Sequence, residues 1–531
     1  MSGKQGEDQD ANGNTVLYSY DVLNRVTEAS YPDQTITYHY DQGANGIGHL
    51  TQLTDNSGTT TFTYTAQGRI ASKTQVTNGF SNTVSYGYNN AGQLTSLTTP
   101  SGQTIGYTYA NGKVSSISVN NTPVISAINY DPFGPITQWT WGNGTQSSRT
   151  YDEDGYLTTS NDAGATSYTF NPDGSIATQT LNSSAPLNLT TGLQTFTNAS
   201  TSNKLNSISG AVTRSYTYDS DGHTLSDGVR SFTYNAAGRM VTATNAGITT
   251  TYSYNALGQR VEKSNTTGTT YFAYDEAGHE LGEYDQSSNL IQELVWLNDI
   301  PVATIRTDQS GGSVGVFYIH TDHLNAPAKI TRPSDDQIIW RWDHDPYGNG
   351  TPNQDPDGNG LQLAFNLRFP GQYYDSETGL LYNYWRDYDP TTGRYVEPDP
   401  MGQQTYLLMS NVPSFTKHRG YWNHLYNYVD DRPTLAKDPF GLGPLEWLAD
   451  LVKEKTPDEA PSAMIGSILS VLCIKQNCHP GNENRDSVLL WGDCASILSH
   501  FFKENSKTVV AAIGGLTGDA AQAAIADCAE K

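Results

Sequence analysis

The chain has 531 residues, 36% of them hydrophobic and 16% charged, with 34 Tyr against 14 Phe, 50 Gly, and a net charge of −24. So many aromatics and so few charges exclude a disordered chain, and the glycine content falls far short of a collagen. The acidic balance excludes a nucleic-acid surface over most of the length, because phosphate neutralisation needs Lys and Arg.

The first residues, Met1-Ser2-Gly3-Lys4-Gln5-Gly6, hold no apolar run of the kind that forms a signal peptide. From there a short unit recurs: an aromatic, then Asp or Asn, two further residues, and Gly. It stands at Tyr88/Asn89/Gly92, Tyr130/Asp131/Gly134, Tyr151/Asp152/Gly155 and Phe170/Asn171/Gly174. It returns at Tyr218/Asp219/Gly222, Tyr234/Asn235/Gly238, Tyr254/Asn255/Gly258 and Tyr274/Asp275/Gly278, with weaker copies at Tyr20, Tyr40, Tyr64 and Tyr109. Before each aromatic, polar and apolar residues alternate with period 2, as in Thr61-Phe62-Thr63-Tyr64, which predicts strands. Asp/Asn-x-x-Gly is turn chemistry: the side chain bonds nearby backbone and Gly takes φ > 0. Each unit is therefore read as a β-hairpin of about 20 residues that cannot bury a core alone. The expected product is one long antiparallel sheet that coils on itself. The step of 48 from Phe170 to Tyr218 holds degenerate copies or an inserted loop.

These twelve units resemble the YD repeats of the RHS (rearrangement hotspot) family, seen also in TcC subunits of ABC toxins and in teneurins. The resemblance implies a mainly β fold in which hairpins spiral into a hollow shell around a polypeptide. It divides the chain into a YD-repeat β-shell over 1–316, a core over 317–442, and a variable C-terminal domain over 443–531.

The core resembles the RHS-associated core domain through Tyr382-Asn383-Tyr384-Trp385-Arg386-Asp387, Glu397-Pro398-Asp399-Pro400 and the closing Asp438-Pro439-Phe440-Gly441-Leu442. In that family the core is an intramolecular protease in which two aspartates cut after the Leu of DPxGL. An Arg-Asp pair with a second Asp twelve residues on selects Arg386, Asp387 and Asp399 as catalytic residues, and the bond between Leu442 and Gly443 as the one cut. Two carboxylates held close cannot both ionise cheaply, so one can activate water while the other donates a proton. Arg386 could hold one carboxylate ionised or stabilise oxyanion charge. The stretch 403–419 departs from the common pattern as an insertion. His320, His323 and His344 are read as wall residues before metal ligands, and Trp340, Trp342, Trp385 and Trp422 as packing before sugar stacking. No metal and no cofactor is expected.

The last 89 residues carry all four cysteines, Cys473, Cys478, Cys494 and Cys528, and a net charge of −5. Disulfides or buried thiols are preferred there over a metal site. Leu445, Leu448, Leu451 and Val452 have helical spacing, so 443–531 is expected to be a small α-rich domain. The apolar run Val509–Leu516 is read as a buried helix before a membrane contact. The family places a variable, usually toxic, effector here.

The leading expectation is a toxin-delivery shell that encapsulates its own C-terminal domain and releases it by autoproteolysis, with a secretion machine or an immunity protein as further partners. It would be secreted or cell-surface by a route other than a signal peptide, and its shell would bind no nucleic acid. The alternatives are a non-cleaving YD-repeat protein for cell-surface adhesion or carbohydrate binding, and a truncated orphan RHS cassette.

Overall fold

The computed structural model describes residues 5–400 and 424–443, except 133, 173, 182–191 and 308–311. Seventeen strands, from Gln5–Gln9 to Ile176–Leu181, form one sheet in which sequence neighbours pair antiparallel. A three-stranded piece follows over Gln194–Asn198, Leu205–Gly210 and Arg214–Ser215. Thirteen strands from Thr217–Tyr218 to Ile338–Arg341 make the second large sheet. Four short strands complete the order: Tyr373–Asp375, Leu380–Asn383, Arg386–Asp389 and Arg394–Tyr395. Among the described residues no pairing joins the first and last strands of either large sheet, so neither closes into a barrel.

The hairpin reading holds in atomic detail. At one unit Asn235 Oδ1 accepts the N–H of Ala237 (3.1 Å) and of Arg239 (2.8 Å), while Gly238 sits at φ +72°. The strand register shifts by one between Thr233 and Tyr234, the bulge expected when a type I turn ends in a left-handed Gly. The preference for Tyr over Phe has a cause as well. From Tyr64 on, the repeat tyrosines donate their hydroxyls to a backbone carbonyl of the preceding unit: Tyr88 to Ile70 (2.9 Å), Tyr109 to Leu94 (2.8 Å), Tyr130 to Val114 (2.9 Å), Tyr254 to Met240 (2.8 Å). The residue after the left-handed turn position, Gly in most units and Asn24 in one, then covers the next unit's ring, as Arg25 over Tyr40 (4.3 Å), His49 on Tyr64 (4.2 Å) and Arg239 over Tyr254 (4.3 Å).

The expected single long sheet is divided into two large sheets with a separate three-stranded piece between them in sequence. The break falls where the repeat letters degenerate, between Phe170 and Tyr218. Strands Ile176–Leu181 and Gln194–Asn198 are almost wholly exposed, so no buried stripe fixes their register against further neighbours. The α-rich domain expected over 443–531 lies, beyond Gly443, outside the described residues.

The two large sheets share a core in which Ile105, Ile117, Trp139 and Trp141 of the first meet Val295, Val302 and Tyr318 of the second. A buried carboxylate fastens them. Glu293 in the second sheet accepts Thr99 Oγ1 (2.7 Å), Ser101 N (2.9 Å) and Ser101 Oγ (2.7 Å) from the first, and Tyr284 OH (2.6 Å) from its own. Glu293→Ala would strand these donors inside the protein. We expect a loss of about 2–4 kcal/mol, read as a lower denaturant midpoint. An unchanged midpoint would mean that the sheets are held by apolar contact alone.

A second core, built on Trp340, Trp342, Phe365, Phe369, Tyr388, Tyr395 and Tyr428, lies under the short strands. Trp340 and Trp342 are thus packing residues. The short strands dock on the second large sheet through three arginines of successive units. Arg230 binds Asp389 and the Thr378 carbonyl, Arg239 binds the Tyr384 carbonyl, and Arg260 makes two bonds to Asp375 (2.6 and 3.0 Å).

Candidate cleavage site

Leu380–Asn383 and Arg386–Asp389 form a tight hairpin with Asn383 opposite Arg386 and Tyr382 opposite Asp387. Its two loop residues are Tyr384, at φ +55°, and Trp385, whose N–H donates to the Phe440 carbonyl (3.1 Å). Strand alternation sends Arg386 and Asp387 to opposite faces, and each meets a different set of partners.

Arg386 is buried and faces the DPxGL segment. Its Nε donates to the Gly441 carbonyl (2.5 Å) and its Nη1 to the Leu425 carbonyl (3.3 Å). Its Nη2 reaches Asp438 (3.1 Å) and Asp399 (3.4 Å), while the guanidinium lies 3.6 Å from the centre of the Tyr395 ring. Asp438 is the hub of the segment. Its carboxylate accepts Tyr395 OH (2.7 Å) and, across the loop it begins, the N–H of Leu442 and of Gly443 (2.9 Å each). The loop can close this tightly because Gly441 takes φ +66°; a Cβ there would stand 2.3 Å from the Asn383 carbonyl oxygen. Asp430 belongs to a left-handed turn in which Val429, Asp430 and Asp431 have φ of 44°, 53° and 59°. Burial pushes its carboxyl up to about 6; Arg432 opposes this, and the charges of Asp399, Asp431 and Asp438 add to it.

Asp387 faces the second large sheet and Glu397. Its backbone N–H donates to Glu397 Oε2 (2.7 Å). Burial pushes the Asp387 carboxyl up to about 7 against the pull of Arg260 and Arg239, with Asp375 adding repulsion. Burial and the Asp387 charge also raise Glu397. A cavity of about 370 Å³ lies beside Glu397 and Asp399, walled in part by Arg239, Leu257 and Trp385.

The structure therefore gathers Arg386, Asp399, Leu442 and Gly443 around Asp438, and gives Asp387 the hydrogen-bonded partner Glu397. Sequence reasoning singled out neither Glu397 nor Asp438 as a site residue. The DPxGL motif carried the signal for Asp438; Glu397 was visible only as one more acidic residue between the two aspartates. The three histidines are occupied separately: His320 with Asp162 (2.6 Å) and Thr331 (2.8 Å), His323 with the Thr434 carbonyl (2.9 Å), and His344 with the Asp345 carbonyl (2.6 Å). Among the described residues, Asp219, Asp221 and His223 offer ligand atoms within 4.8 Å of one another. Their oxygens already serve donors, Asn12 Nδ2 on Asp219 (2.9 Å) and Ala11 N on Asp221 (2.7 Å). Trp422 and the insertion 403–419 lie outside the described residues.

The Teneurin YD-shell family model matches residues 49–185 and 119–434, and the RHS Repeat model matches 8–36. Toxin protein Tse5 of Pseudomonas aeruginosa is 34% identical over 131 residues, which make up 25% of this chain and 8% of that protein. The solved Tc holotoxin pore of Photorhabdus luminescens superposes with a TM-score of 0.64 at 15% identity, over 83% of this chain and 27% of that one. The crystal structure of TcdB2-TccC3 gives 0.59 at 16%, over 81% and 27%. At such identity these two likenesses are of fold. The chain spans about a quarter or less of the length of each of these proteins.

Proposed function

Because the chain belongs to the Teneurin YD-shell family, we propose that it is the closing part of a polymorphic-toxin shell, which encloses its own segment beyond Leu442 and frees it by cutting the Leu442–Gly443 bond. In this reading the hairpin sheets curve into the hollow wall and 443–531 is the cargo. The observation that carries the reading is the grip of Asp438 on the two N–H groups at the bond to be cut, with Arg386 bound to the carbonyl one residue before it. Such a hold fixes the bond relative to the carboxylates, and fixed geometry is a large part of what catalysis requires.

In the reaction, one carboxylate takes a proton from water as the water oxygen adds to the Leu442 carbonyl carbon. A carboxylic acid gives its proton to the Gly443 nitrogen as the C–N bond breaks. Asp399, ion-paired with Arg386, suits the first role. Asp387, whose proton affinity is raised by its burial, is assigned the second. The cavity beside Asp399 gives the water a place. Purified full-length protein should yield two masses that divide after Leu442 yet elute together under native conditions. A single intact chain of 531 residues would overturn the reading.

A further inference from the structure

Glu397 lies ten residues after Asp387 and two before Asp399, and its position is fixed from three sides. Val396 N donates to the Asp387 carbonyl (2.9 Å), and Thr224 N and Oγ1 donate to the Val396 carbonyl (3.0 and 2.7 Å). The Asp387 N–H then holds Glu397 Oε2 at 2.7 Å. Asp387 is 6% exposed and Glu397 3%. Glu397 Oε1 is buried and has no hydrogen-bond partner among the described residues.

The surrounding charges leave the pair to itself. Arg260, Arg239 and Asp375 face Asp387, and Arg386 and Arg239 face Glu397. Each of these cations is bonded elsewhere: Arg260 to Asp375, Arg239 to the carbonyls of Gly258 and Tyr384, and Arg386 to Asp438 and Gly441. The other titratable neighbours, Tyr234, Tyr252 and Tyr254 from the sheet side and Tyr382 and Tyr426 from the core, feel the negative charge and are themselves held neutral by burial. The Asp387 N–H holds the two buried acidic residues together, and among the described residues no cation is bonded to either carboxyl, so the two do not both ionise cheaply.

We propose that Glu397 holds one proton jointly with Asp387 and is the positioning residue that sets the pH range over which the chain cuts itself. This rests on the self-cleavage reading above. The raised affinities of both carboxyls for protons agree with it. The shared proton is present at acidic and neutral pH and is lost as pH rises through the range of the pair. A reaction that needs Asp387 as an acid therefore slows on the alkaline side.

Two measurements test this. Uncut chain, made by cell-free synthesis and moved into a series of buffers, is timed for cutting. Glu397→Gln removes the negative neighbour and sets an amide beside Asp387, which then ionises at lower pH. The alkaline limb should move down by about one pH unit, with cutting about tenfold slower at neutral pH. Superimposable profiles would overturn the proposal. Infrared difference spectra of the folded protein at neutral pH read the proton without any need for cutting. The band of a protonated carboxyl should be lost in Glu397→Gln, and likewise in Asp387→Asn. Loss of the band in both variants supports the shared proton, and its persistence in either one refutes it. If the wild-type chain is never cut, the cleavage reading fails, and with it the role of Glu397 in cutting, while the spectra still decide whether the proton is shared.

Discussion

Asp438→Ala leaves the chain whole: we expect cutting after Leu442 to slow by at least about a hundredfold, the scale of loss when a reacting bond is misplaced by about an ångström. The carboxylate takes donors from Tyr395, Arg386, Leu442 and Gly443. Without it, the direct bonds from the start of the loop to its end are lost, and Arg386 loses an anion inside the protein. Asp438→Asn should fare little better. Its amide keeps one acceptor oxygen for Leu442 N–H but presents hydrogens to groups that are themselves donors. Tyr395→Phe removes one donor and leaves the loop closed, so its effect should stay within about tenfold. Intact mass after a fixed time from synthesis reads all three variants. Full cutting in Asp438→Ala, in protein with a wild-type thermal midpoint, would show that the loop finds its place unaided.

Arg260→Ala should cost about 3–5 kcal/mol, because it strands a buried carboxylate. Asp375 is held below the usual carboxylate range by Arg260 and then Lys263, against the effect of its own burial. Lys263 (3.0 Å) would be its only remaining cation among the described contacts. The loss would also open the packing of the Arg260 guanidinium against Tyr382 (4.1 Å), Tyr252 (5.1 Å) and Tyr373 (5.2 Å). A denaturant midpoint within error of wild type would rule out this seam as a main fastening of the short strands. The sign of the pH dependence follows from the depressed carboxyl. Its stabilisation is full above the ordinary carboxylate range and fades as pH falls toward the folded-state value. Acid should therefore loosen wild type toward the variant, and the gap between them should narrow.

The hairpin unit was legible because each of its letters does a local job. Asn235 bonds its own turn, Gly238 takes the left-handed backbone, and the tyrosine spans only to the unit before it. The Arg386–Asp387 pair was legible as a motif, and alternation along a strand puts the two on opposite faces. What each face meets depends on elements far away in the chain. Glu397 becomes the partner of Asp387 only when the backbone at Val396 is pinned between the strand of Asp387 and Thr224. Nothing in the local sequence marks Arg230, Arg239 and Arg260 as a set; they are a buried seam because the short strands dock over them. The division of the sheet was foreshadowed by the gap in repeat spacing, but a gap in letters does not say whether pairing stops or merely loosens.

The joints between hairpins have a consequence for how such a wall changes in length. The recurring joint is the same small kit: a tyrosine hydroxyl reaching back to the previous unit's carbonyl, and the side chain after the left-handed turn residue laid over the next ring. A unit removed from one tyrosine to the next brings together two surfaces that already fit, with strand direction and inward face unchanged. Removal of a single strand would reverse the direction of everything downstream and part each ring from its cover. The wall can therefore be lengthened or shortened in steps of two strands, in the way a chain loses links, without redesign of the parts on either side.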